Sequence, residues 1–131
     1  MLKKTIKYTD YNGVEKEEDF YFNLSKTELT KMEVNQDGGM QAFLKKIIDS
    51  KDAKSIMQLM EDLILMSYGI KRPDGSFDKS DEISRNFSHT VAYDQLFMEL
   101  VTNTESAAAF ANGIIPSDLL AKAKELENKK N

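Results

Sequence analysis

The sequence predicts an α+β fold that is mostly α: an N-terminal β-hairpin packed on a bundle of about five to six helices. Three observations carry this. Apolar residues alternate with polar ones in two short runs that flank DYNGV. From Ser25 onward, apolar residues recur at spacings of three and four, in segments divided by glycine, proline or capping residues. The 131 residues include no cysteine, so the core must be built without disulfides or thiolate metal sites. The expected organisation is one domain over 1–131: a hairpin over 1–24, a helical core over 25–116, and a C-terminal helix with a frayed tail over 117–131.

The hairpin comes first. Ile6 and Tyr8 alternate with Lys7 and Thr9; Phe20, Phe22 and Leu24 alternate with Tyr21 and Asn23. A two-residue Asn12-Gly13 loop would put the two apolar sets on opposite faces. A three-residue loop, Tyr11-Asn12-Gly13, pairs Asp10 with Val14 and gathers Leu2, Ile6, Tyr8, Phe20 and Phe22 on one face. It also places Gly13 where the left-handed conformation is needed.

In LSKTEL, Ser25 is placed to cap a helix, Glu28 to reach back to its amide, and Leu24 and Leu29 to close a staple. This helix should end near Val34, at NQDGG. Met40, Phe43, Leu44, Ile47 and Ile48 mark one face of a second helix. After Asp52 a third carries Ile56, Leu59, Met60, Leu63, Ile64 and Ser67 on one face. Met57, Leu65 and Met66 widen its apolar arc almost all round, so it is expected to be central, with its methionines in the core.

Pro-Asp-Gly within GIKRPDGSFDKS predicts a loop or tight hairpin between Gly69 and Lys79. Ser80 then caps a short helix ending near Ser88, with Asp81 and Glu82 at its positive end. Leu96, Phe97, Leu100 and Val101 are expected core positions on the next helix, which breaks near Asn103. Ala107, Ala108, Phe110 and Ala111 continue beyond the break, and Gly113 should stop the helix before Pro116. Ser117 caps a last helix whose apolar face is thin.

Function classes are narrowed mainly by exclusion. With 18 basic and 22 acidic residues the net charge is −4, which argues against nucleic acid as the partner. The most apolar window, IMQLMEDLILMSYGI, contains Glu61 and Asp62 and is too short for a bilayer, so no membrane association is expected. MLKKTIKYTD has lysines but no apolar run after them, so a cytoplasmic protein is expected.

His89 is the sole histidine, and Asp94 is the one candidate to orient it; no nucleophile motif accompanies them. Asp74, Ser76 and Asp78 do not follow a calcium-loop ligand order, and Gly38-Gly39 lacks the lysine of a phosphate loop. No catalytic, cofactor-binding or metal residue is expected. The candidate partner surface is GIIPSDLL, where Ile114, Ile115, Leu119 and Leu120 are apolar residues that a thin final helix cannot easily hide.

The strings YGIKRPDGSFDKS, AYDQLFMEL and AAAFANGIIP, together with the opening TIKYTDYNGVEKEEDFYFNLSKTEL, carry a family resemblance. They resemble the tail assembly chaperones of long-tailed, siphovirus-type phages of Gram-positive bacteria. The resemblance spans Lys3 to about Pro116, with Ser76 alone between Gly75 and Phe77 as a shorter loop. It implies a non-enzymatic factor in the host cytoplasm that is absent from the mature virion. Such a factor coats the tape measure protein and recruits tail tube subunits, with self-association left open. The competing reading is a structural component of the tail or of the head–tail joint. The resemblance also implies a longer form made by ribosomal frameshifting, for which the codons of Lys129-Lys130 are the candidate slippery site.

Overall fold

The structure, a computed structural model, describes residues 1–35 and 53–116. The expected second helix with Met40, Phe43, Leu44, Ile47 and Ile48 lies outside the described residues. So do the final helix after Ser117, with Leu119 and Leu120, and the Lys129-Lys130 tail. The described elements are, in order, β1 (Leu2–Thr9), β2 (Glu15–Phe22), α1 (Lys26–Asn35), α2 (Ala53–Ser67), β3 (Tyr68–Lys71), β4 (Phe77–Asp78), α3 (Asp81–Ser88), α4 (Val91–Thr102) and α5 (Thr104–Ile114). The expected α+β, mostly helical fold with an N-terminal hairpin is what the chain adopts.

The hairpin takes the three-residue loop. β1 and β2 pair antiparallel from Leu2↔Phe22 to Thr9↔Glu15. The Asp10 amide donates to the Val14 carbonyl at 2.9 Å, and Gly13 sits at φ +81°, a region that only glycine enters at little cost. Ile6, Phe20 and Phe22 are consequently buried on one face, while Lys3, Thr5, Lys7 and Thr9 are exposed on the other. Lys4 falls on the covered face, and its long stem carries the ammonium out to Glu99 of α4 at 2.9 Å.

The second hairpin, β3–β4, joins the first. The sheet order is β1-β2-β3-β4, held by Tyr21↔Gly69 and Phe22↔Tyr68. Two amides just past β2 extend this join: Asn23 donates to the Ser67 carbonyl and Leu24 to the Ile114 carbonyl, each at 2.8 Å. Both acceptors lie at helix C-termini, where carbonyls have no partner within the helix. The end of β2 therefore ties α2 and α5 together.

The caps expected at Ser25 and Ser80 form, and Thr90 and Asn103 add two more. Ser25 and Glu28 form a reciprocal box, at 2.9 Å from the Ser25 amide to Glu28 Oε1 and 3.1 Å from the Glu28 amide to Ser25 Oγ. Leu24 and Leu29 are both buried. Ser80 caps α3, Thr90 caps α4 and Asn103 caps α5 through its Oδ1.

One contiguous core lies between the sheet and the helices. At its centre the rings of Tyr68 and Phe87 stack at 4.0 Å, and Phe22 meets Phe87 and Phe110 edge-on at 5.9 and 5.2 Å. Ser67 is fully buried, and its hydroxyl donates to the Leu63 carbonyl at 2.6 Å. No buried side-chain polar atom among the described residues lacks a partner.

Several sequence expectations are corrected. On α4 the deepest residues are Ala92, Leu96 and Leu100, four apart; Phe97 and Val101 flank that line and are half-buried. Phe97 stacks on Tyr93 at 6.0 Å rather than entering the core. On α2, Met60 is in the core, but Met57 and Met66 lie off the buried face and stay 44% and 40% exposed. Gly113 does not stop α5, which runs on to Ile114. Its role is close approach: a Cβ there would lie 2.9 Å from Leu2 Cδ1, so the glycine lets β1 pack on the helix.

Candidate partner surface

The residues considered for chemistry lie at a helix end or in the β3–β4 hairpin. His89 ends α3, where its amide donates to the Asn86 carbonyl, and no hydrogen bond links it to Asp94. The residue is exposed. Asp78 takes both Arg72 Nη2 and Nε, at 2.7 and 3.2 Å, and Asp74 accepts the Ser76 amide and hydroxyl. These contacts hold both carboxyls below their ordinary values: the Ser76 hydroxyl acts first on Asp74, the Arg72 guanidinium first on Asp78. They serve the turn. Among the described residues no group of acidic or histidine side chains could hold a metal ion. Nor is any helix there long and apolar enough to cross a membrane.

The expected apolar surface at the chain end is revised in part. Ile114 is fully buried and Ile115 is 4% exposed, because the α5 terminus is drawn under β2 by the bond from the Leu24 amide. Leu119 and Leu120, the other two residues of that expectation, lie outside the described residues.

Apolar exposure is concentrated elsewhere. Tyr11 is 79% exposed and Val14 52%, both at the tip of the first hairpin. The tip is nevertheless stiffly built. The Asp10 carboxylate accepts the Asn12 and Val14 amides, each at 2.9 Å, and pairs with Lys16 at 3.2 Å. Those bonds, the Val14 amide first, hold its carboxyl below the usual range. Met57, Met66 and Met98 add flexible apolar side chains on α2 and α4.

Between the outer half of the hairpin and Gln95 of α4 lies an open cleft of about 550 Å³, lined by residues 7–9 and 15–17. Its walls are polar. The Tyr8 hydroxyl donates to the Glu18 carboxylate, and its pKa is pushed up to about 12, by partial burial first and then by that carboxylate. A neutral phenol, an amide and charged side chains in this lining can hold a peptide by hydrogen bonds.

The model of one protein family, described as phage tail assembly chaperone, matches residues 1–131. The chain belongs to that family. No curated protein and no solved structure matches it. Membership gives the exposed hairpin tip a context, because a tail assembly chaperone works through protein surfaces. Tyr11 and Val14 escaped the sequence reading because a loop residue's exposure depends on what packs beside the turn. The available signal was an apolar residue on each side of Asn12-Gly13.

Proposed function

We propose that this chain is a non-enzymatic assembly factor that binds the phage tape measure protein and helps recruit tail tube subunits during tail morphogenesis. It acts in the host cytoplasm and is left out of the mature virion. The observation that carries this reading is the family match along the whole chain. Two features support it. The polar groups that might have done chemistry are spent on caps and turns. Apolar side chains stand exposed on a rigid turn, which is suited to contact with another protein.

The test is co-expression with the tape measure protein, followed by affinity capture and by mass spectrometry of purified particles. The reading expects co-purification, a larger soluble fraction of the tape measure protein, and no chaperone in the particle. Stoichiometric recovery from particles would instead support a structural component of the tail or of the head–tail joint.

A further inference from the structure

Among the described strands, β2 is left without a partner along most of the lane on its β3 side. β2 is eight residues long, but β3 pairs only with its last two, Tyr21 and Phe22. β3 then turns away to pair with β4 through Ile70↔Asp78 and Lys71↔Phe77. Backbone direction alternates along a strand. Tyr21 pairs towards β3 and the Asn23 amide donates to Ser67, so odd-numbered residues of β2 face the β3 side. The N–H and C=O groups of Glu15, Glu17 and Asp19 therefore point into the lane, where no described strand meets them. All three residues are exposed.

The unpaired backbone makes the site; the side chains select what enters it. Every residue facing the lane is acidic, at a period of two. Each carboxylate has capacity to spare: Asp19 accepts one hydrogen bond from Thr5, Glu17 lies 3.9 Å from Lys7, and Glu15 stands opposite Thr9. The lane ends at Tyr21, whose ring is covered by the Lys71 ammonium at 4.2 Å. We propose that the open edge from Glu15 to Asp19 is a strand-addition site for an extended segment of a partner protein that carries Lys or Arg at every second position. Main-chain bonds would hold such a segment, and cross-strand charge pairs would set its register. The same acids discourage pairing between two β2 edges, which would oppose carboxylate to carboxylate. A second copy's β1 is a poorer occupant, because it offers lysine at positions 3 and 7 but threonine between them.

This assignment is independent of whether the partner is the tape measure protein, and its test needs only the purified chain and a synthetic octapeptide alternating lysine and threonine. Amide exchange is followed by NMR. Protection is expected at Glu15, Glu17 and Asp19 but not at Lys16 and Glu18, which already face β1. The glutamate–threonine peptide should give none. Glu17→Lys should weaken binding about three- to tenfold. Glu17→Pro should abolish binding while the thermal midpoint stays near wild type, since that amide is not used by β1. Protection at Lys3, Thr5 and Lys7 instead, or binding that survives Glu17→Pro, would overturn the proposal. So would self-association of the free chain that Glu17→Pro dissolves, which would assign the lane to a second copy.

Discussion

The two ends of the N-terminal hairpin share one strand register but differ in what lies beneath them. At the root, Leu2 pairs with Phe22, and Phe22 is fully buried among Phe87, Phe110 and Tyr68. In the outer half, Tyr8 pairs with Lys16 and Thr9 with Glu15. The contacts there are Tyr8 with Glu18 and Lys16 with Asp10, and the tip projects Tyr11 into solvent. Hydrogen bonding is similar along the hairpin, but apolar burial is not. Burial is the dominant favourable term in folding. The root should therefore carry stability, and the outer half should tolerate change, which is what a contact surface requires.

The largest effect should come from Phe22→Ala, at about 3–5 kcal/mol of unfolding free energy in urea melts. An effect no larger than that of a tip mutation would break the comparison. Helix α4 sharpens it on a smaller scale. Leu100→Ala should cost about 2–5 kcal/mol, whereas Phe97→Ala, on a half-buried ring, should cost about 1–2 kcal/mol. Equal costs would return Phe97 to the core.

The junction between root and helices comes next. Ser25→Ala should lose about 1 kcal/mol through the capping box. Glu28 also receives Lys79 Nζ at 2.5 Å, and that ammonium donates to the Asn23 carbonyl at 2.8 Å. Burial works to raise the Glu28 carboxyl, but the bonds from Lys79 and Ser25 outweigh it and hold it below its ordinary value. A lowered folded pKa means a contribution present above the ordinary glutamate range and lost as pH falls through the folded value. Thermal midpoints measured down the acid side should fall less steeply for Lys79→Met than for the wild type. Parallel slopes would show that the pair does not couple to folding. The smallest effect is expected at the tip, where Tyr11→Ser and Val14→Ser should each change stability by less than about 0.5 kcal/mol.

Features that act within a few residues were legible in the sequence. The Ser25–Glu28 box, the Ser80 cap, the break at Asn103 and the turn at Gly13 each depend on neighbours close in the chain. What was missed depends on residues far apart. Gly113 reads as a helix stop until Leu2 is seen packed against it, and Ile114 reads as surface until the Leu24 amide is seen bonded to its carbonyl. The merger of two hairpins into one sheet rests on Tyr21 meeting Gly69. No local pattern encodes that encounter. The same holds for Met57 and Met66, whose apolar character says nothing about which flank of α2 is covered.

The hairpin is proposed to divide labour, its buried root supporting an outer half that makes contact. Hydrogen exchange read by mass spectrometry, on the chain alone and with the co-expressed tape measure protein, tests it most directly. Peptides covering Lys7–Asp19 are expected to gain protection while those covering Phe87–Leu100 do not change. Protection confined to the helices, with Lys7–Asp19 exchanging as in the free chain, would contradict it.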